Sequence, residues 1–176
     1  MCIRDRNHRI VLETDRLALA YLDPSSAQEL CNYLASNKEH FQNSRALYPE
    51  NYFTPEQQGL ILQQEVQRRS EGKAFRFYIF KKGSKQIIGD LKFNELVRGA
   101  FQSCYVGYKM SKENTGEGYM TEALKAASAY MFEAYQLHRI EANIMPRNKA
   151  SQRVVCLLYT SPSPRDATLS RMPSSA

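Results

Sequence analysis

The residues best suited by type and spacing to do chemistry lie in Tyr105–Leu124, YVGYKMSKENTGEGYMTEAL. A strand-like stretch ends near Met110, a short polar loop carries Gly116 and Gly118, and a helix-like apolar stripe begins directly after them. Glycines in such a loop let the backbone approach a ligand closely. The first amides of a helix lack intrahelical partners, and a helix start carries about half a positive charge. Together these features make a cradle for an anion such as a phosphate; the simpler alternative is a glycine turn ahead of an ordinary helix. Two familiar phosphate motifs are excluded. A P-loop needs Gly, four residues, then Gly-Lys-Ser/Thr, and no such run exists. A dinucleotide fingerprint places a third Gly where this chain has Thr121, and the parallel βαβ unit it requires is not expected here.

Other residue pairs invite weaker readings. Glu122 sits one turn into the helix pattern, where a carboxylate is favourable whatever else it does. Asn148 and Ser151 form an N-x-x-S pair, which reads as a helix cap followed by a neutral first-turn residue. His138, between a helix and a strand, reads as structural. The four cysteines show no CxxC pairing, so neither a zinc site nor a disulfide framework is expected, and no metal is called for.

The elements that must position these residues follow from periodicity. Ile10–Leu22 reads as one strand. Asp23 caps a helix beginning at Pro24, with Ala27, Leu30, Cys31 and Leu34 at helical spacing. Thr54-Pro55-Glu56 opens a second helix that stops at Arg68–Gly72. Phe75–Lys81, Gln86–Leu96 and Ser103–Met110 read as strands of an antiparallel meander separated by turns at Lys82–Lys85 and near Gly99. Gly118–Gln136 is the strongest helix, with Met120, Ala123, Leu124, Ala127, Tyr130, Met131 and Ala134 on one face. Arg139–Met145 alternates as a strand, and Asn148 or its neighbours start a last helix. The order implies one mixed α/β domain in an α+β arrangement.

Composition sets the bounds. The chain has 176 residues, 43% hydrophobic and 24% charged, and its 8 Phe and 11 Tyr are enough to build a core. No apolar run approaches the roughly 18 residues of a membrane span, and the N-terminus lacks a secretory signal. The net charge of +6 suits an acidic ligand or an RNA-rich neighbourhood. No aromatic platform interleaved with basic residues is visible, so direct nucleic-acid readout is not expected.

The two ends depart from this picture. CLLYTSPSPRDATLSRMPSSA, Cys156–Ala176, holds three of the seven prolines and many serines, and it has no apolar period. One set of codons for MCIRDR at the start is the reverse complement of one set for CLLYTS, within a base or two at the edges. One DNA element in opposite orientations at both ends of a reading frame has the form of a translated sequencing adapter. Residues 1–6 and 156–176 are therefore expected to be adapter-derived and disordered, and 7–155 to be the domain, truncated at Val155. Each end carries two Arg and one Asp, so the central part keeps +4 of the +6. Its two cysteines, Cys31 and Cys104, read as thiols in a reducing cytoplasm.

Five ordered pieces carry a family resemblance: LETDRLALAYL at Leu12–Leu22, IIGDLKF at Ile87–Phe93, VGYKM at Val106–Met110, GEGYMTEAL at Gly116–Leu124 and LHRIEANIMPRNKAS at Leu137–Ser151. In these the chain resembles the GNAT acetyltransferase superfamily, and within it the RimJ/RimL-like branch. The resemblance implies a central, mostly antiparallel twisted sheet flanked by helices, here lacking its last strands. It also implies acetyl-CoA as co-substrate. The loop amides from Thr115 through Gly116, Glu117, Gly118 and Tyr119 to Met120, with Thr121 following, would take the pyrophosphate. The strand Tyr108, Lys109, Met110 would pair with the pantetheine arm, and Asn148 would bind that arm as well. One departure is Glu113, which stands where the wider pattern has Gln or Arg. Lys109 and Lys112 are the cations that would offset it.

The implied reaction is acetyl transfer to an amine. A free α-amine is about one-tenth neutral at pH 7, whereas a lysine amine is neutral in about four molecules per ten thousand. Deprotonation therefore costs about 1 kcal/mol for the first and roughly 4.6 for the second. An α-amine asks less of a base, in agreement with the branch's association with protein N-termini, ribosomal proteins among them. Glu122 is the candidate base, with Glu95 and Glu141 behind it, and Ser151 is the implied proton donor to the departing thiolate. Two other functions remain open: an acyl-CoA-binding or ribosome-associated module without turnover, and an acetyltransferase for a small amine such as an amino sugar or polyamine.

Overall fold

The computed structural model describes residues 8–42 and 49–160. Among these residues six strands form one sheet in chain order: β1 (His8–Glu13), β2 (Leu17–Leu22), β3 (Phe75–Lys81), β4 (Ile87–Val97), β5 (Ser103–Met110) and β6 (Arg139–Glu141). Neighbours pair antiparallel, except that β5 and β6 are parallel. Among the described residues there are also five helices: α1 (Ala27–Ser36), α2 (Lys38–Gln42), α3 (Pro55–Ser70), α4 (Tyr119–Tyr135) and α5 (Lys149–Thr160). Short 3-10 turns at Pro24–Ser26, Glu50–Phe53 and Lys112–Asn114 join them. The expected mixed α/β class with a mostly antiparallel sheet holds.

The sheet is buried on both faces, which explains why β2, LALAYL, is buried at every position. Leu17, Leu19 and Tyr21 join Phe75, Phe77, Ile79, Leu91 and Phe93 under α4, whose Ala123, Leu124, Ala127 and Met131 point inward. Ala20, Leu22, Tyr78 and Phe80 pack on the opposite side against Leu30 and Leu34 of α1 and Leu62 of α3. The capping signals worked as chemistry dictates: Asp23 accepts the amide of Ser25 at 2.8 Å, and the Thr54 hydroxyl accepts that of Gln57 at 3.3 Å.

Four expectations need correction. Ile10–Leu22 is two strands, because Thr14-Asp15-Arg16 folds into a turn closed by the Thr14 amide on the Leu17 carbonyl at 2.9 Å. A parallel βαβ unit is present, since α4 is the crossover between β5 and β6. The last strand stops at Glu141 and does not run to Met145, because its pairing with β5 ends at Tyr105↔Glu141. Finally, α5 continues through Cys156–Thr160, where disorder was expected; Val154 and Leu158, one turn apart on it, pack against the α4-side core. The other terminal residues of the adapter reading, 1–6 and 161–176, lie outside the described residues.

Candidate active site

The geometry begins with β5. Ser111 donates to the Ile88 carbonyl at 2.8 Å, and the register pairs Asp90↔Lys109, Lys92↔Gly107 and Asn94↔Tyr105. In an antiparallel ladder hydrogen-bonded pairs recur every second residue. The backbone groups of Tyr105, Gly107 and Lys109 therefore point at β4, and those of Cys104, Val106, Tyr108 and Met110 point the other way. Among the described residues the pairing with β6 ends at Tyr105↔Glu141, so beyond it there is a gap in the sheet, where the Val106, Tyr108 and Met110 amides and carbonyls have no strand partner.

At the end of the gap lies the glycine loop. Gly116 and Gly118 both adopt left-handed backbone, with φ of 84° and 77°. Gly118 caps α4 without any side-chain hydrogen bond, so the first-turn amides of the helix have no side-chain cap. Thr115 differs from expectation: its amide and hydroxyl both donate to the Lys112 carbonyl, at 3.3 and 2.7 Å, which closes the preceding turn and removes that amide from the cradle. The start of the loop is held from the C-cap of α1, where the Asn37 side chain accepts the Lys112 amide at 2.9 Å.

Lys109 is turned away from the gap on two counts. Its backbone faces β4, and its Nζ lies 3.6 Å from Asp90 Oδ2 and 5.0 Å above the Phe41 ring. It therefore cannot offset Glu113, while Lys112 remains exposed. Asp90 in turn holds Arg76, which also reaches Glu65 of α3 at 2.7 Å, and Tyr78 donates to the second Glu65 oxygen at 3.0 Å. Met110 and Met120 are buried in the core, so only their backbones are available.

Glu122 lies beside the loop, but its carboxylate is occupied. Oε1 accepts the Thr14 hydroxyl at 2.6 Å and the Arg16 amide at 3.0 Å, and Oε2 accepts Arg16 Nε at 2.7 Å. Partial burial pushes its pKa up, but the Thr14 and Arg16 hydrogen bonds and the Arg16 charge outweigh it and hold the carboxyl below its usual range. A general base near neutral pH needs the opposite shift and a free lone pair. Arg16 Nη1 also donates to the Glu117 carbonyl at 3.1 Å, and its guanidinium lies 4.5 Å from the Tyr119 ring centre. Lys81 Nζ approaches the same ring at 5.1 Å.

A second cluster joins β5 to α5. Tyr108 donates its hydroxyl to the Ser151 carbonyl at 3.0 Å, and burial pushes that phenol up to about 12. Asn148 Oδ1 accepts the Ser151 amide at 3.0 Å, as a helix cap does. The structure thus gathers Tyr108, Asn148 and Ser151 at one place, and Glu117, Gly118, Tyr119 and Glu122 at another. Of the reserve carboxylates, Glu95 is exposed at a bulge of β4 with φ of 53°, and Glu141 is paired to Arg139 at 2.6 Å. Sequence reasoning gave Thr14 and Arg16 no role. The available signal was four polar residues, Glu13 to Arg16, interrupting an otherwise apolar run.

The family described as acetyltransferase (GNAT) domain matches residues 16–156. The ribosomal protein uS5-alanine N-acetyltransferase of Escherichia coli (strain K12) is 36% identical over 143 residues, 81% of this chain and 74% of that protein. Probable N-acetyltransferase YjcK of Bacillus subtilis (strain 168) is 32% identical over 134 residues, 76% of this chain and 74% of its own length. The crystal structure of ribosomal-protein-S5-alanine acetyltransferase from Vibrio fischeri superposes with a TM-score of 0.79 at 31% identity, covering 84% of this chain and 80% of that one.

Proposed function

Because the chain belongs to the GNAT acetyltransferase family, we propose that it transfers the acetyl group of acetyl-CoA to the α-amine of a protein N-terminus, a ribosomal protein being the favoured acceptor. The observation that carries this reading is the parted pair β5 and β6, whose gap leads to the cap-free start of α4. A thioester arm with amide groups can complete the open edge of β5 at Val106, Tyr108 and Met110, as an added strand would. The pyrophosphate then meets the Gly116–Thr121 amides at a helix N-terminus.

The chain's own residues supply binding and orientation. Tyr108, protonated at neutral pH, ties β5 to the first turn of α5 and sets the width of the gap at that point. Asn148 shapes the same turn, and Ser151 is the proposed donor of a proton to the departing thiolate. Attack by the neutral α-amine on the thioester carbonyl forms the amide as the carbon–sulfur bond breaks, and the amine's surplus proton leaves to solvent or base. An α-amine already about one-tenth neutral at pH 7 makes modest demands on that base, in keeping with the engagement of Glu122 elsewhere.

The acceptor preference draws on the names of the relatives, two of which are alanine acetyltransferases of a ribosomal protein. Among the described residues no helix is long and apolar enough to cross a membrane, and a cytoplasmic setting beside ribosomes fits this acceptor. The domain is proposed to occupy 7–155. The test is thiol release from acetyl-CoA with three acceptors: peptides with a free N-terminal Ala, N-blocked lysine peptides and polyamines. Turnover is expected with the free N-terminus. Faster turnover with a polyamine would replace the acceptor, and cofactor binding without thiol release would leave a non-catalytic module.

A further inference from the structure

One side chain reaches every part of the glycine loop's exit. Arg16 touches the Glu117 carbonyl through Nη1 at 3.1 Å, the Tyr119 ring at 4.5 Å and the Glu122 carboxylate through Nε at 2.7 Å. Its Nη2 lies 3.5 Å from the point where a side chain on Gly118 would begin. Arg16 is itself fixed by its backbone: its amide donates to Glu122, and its carbonyl accepts the Lys82 amide at 2.9 Å. These contacts span more than a hundred residues of sequence, from the β1–β2 turn to the start of α4.

The Glu117–Gly118 peptide is planar and trans, so its carbonyl and its amide point in opposite directions. Holding the carbonyl on Arg16 therefore aims the Gly118 amide away from the β1–β2 turn, with the helix's first amides next to it. Two left-handed glycines leave this segment few conformational restraints of its own. A guanidinium, with donors in a fixed fork, can hold a carboxylate and a carbonyl at once, which a single ammonium cannot do in the same geometry.

We propose that Arg16 is a positioning residue for cofactor binding, locking the Glu117–Gly118 peptide so that its amide is presented to the pyrophosphate; this rests on the acetyl-CoA reading. It also accounts for Glu113: in place of a cation three residues before Gly116, order is imposed on the loop from a distant turn.

The test compares wild type, R16K and R16M with two donors, acetyl-CoA and S-acetyl-pantetheine, which lacks the pyrophosphate. For both variants, kcat/KM with acetyl-CoA is expected to fall about tenfold or more, mostly through KM. With S-acetyl-pantetheine the variants should match wild type within about twofold. Equal losses with both donors, or wild-type behaviour of R16K with acetyl-CoA, would overturn the proposal, because the role would then be general stability or charge alone. Thermal melting accompanies the kinetics; if R16M does not fold, the R16K comparison decides, and loss of the fold in both variants makes the contact structural and overturns the proposal. If wild type itself neither binds nor turns over acetyl-CoA, the acetyltransferase reading has failed, whatever Arg16 does.

Discussion

Glu122 shows how far residue identity goes without partners. Its place at the start of α4 was legible, because the apolar stripe from Met120 to Met131 fixes the helix. Its role was not, because Thr14 and Arg16 reach it from more than a hundred residues away. The carboxyl's folded pKa is depressed, so it contributes stability above its unfolded value of about 4.3 and loses that contribution as pH falls through the lower folded value. E122Q is therefore expected to cost about 1 kcal/mol at pH 7. In urea unfolding the gap from wild type should narrow once the pH drops below the usual carboxylate range. A gap that stays constant down to pH 3 would contradict this assignment. The left-handed backbone of Gly116 and Gly118 was legible from glycine's freedom alone, whereas the bond of the Thr115 amide to Lys112, one turn back, was not.

Elements were legible wherever period and punctuation agree. Phe75–Lys81 and Ser103–Met110 fall where alternation places them, and Thr54-Pro55 marks the start of α3. The ends of β1 and β6 were not legible, because a strand ends where its partner does, and pairing is not written locally. The join between α3 and the sheet is a further long-range feature. Arg76 bridges Glu65 and Asp90 with only 10% of its side chain exposed. Burial disfavours its charge, but the two carboxylates more than restore it. R76M would leave both anions without their shared cation, with an expected loss of about 3–5 kcal/mol in denaturant unfolding. Pairing R76M with E65Q and D90N should recover part of that loss; no recovery would mean that packing, not charge, holds the join.

For the whole molecule, the fold class followed from element order, but the parting of β5 and β6 could only be seen in three dimensions. It leads to an alternating pattern in deuterium exchange. Without ligand, the amides of Val106, Tyr108 and Met110 should exchange faster than those of Gly107 and Lys109, which are spent on β4. Saturating acetyl-CoA should slow the first set and leave the second nearly unchanged; slowing of both sets alike would point to general tightening instead. The same parting bears on solubility. A sheet edge with unspent amides is a template for any extended chain. At β1 the outer edge is broken by a bulge between Ile10 and Leu12 and carries an exposed Arg9. Among the described residues, β5 carries neither device between Val106 and Met110, which suits the proposed docking of a thioester arm there. On the proposed function, mispairing of another extended chain with this edge would compete with acetyl-CoA, so saturating acetyl-CoA is expected to lower aggregation.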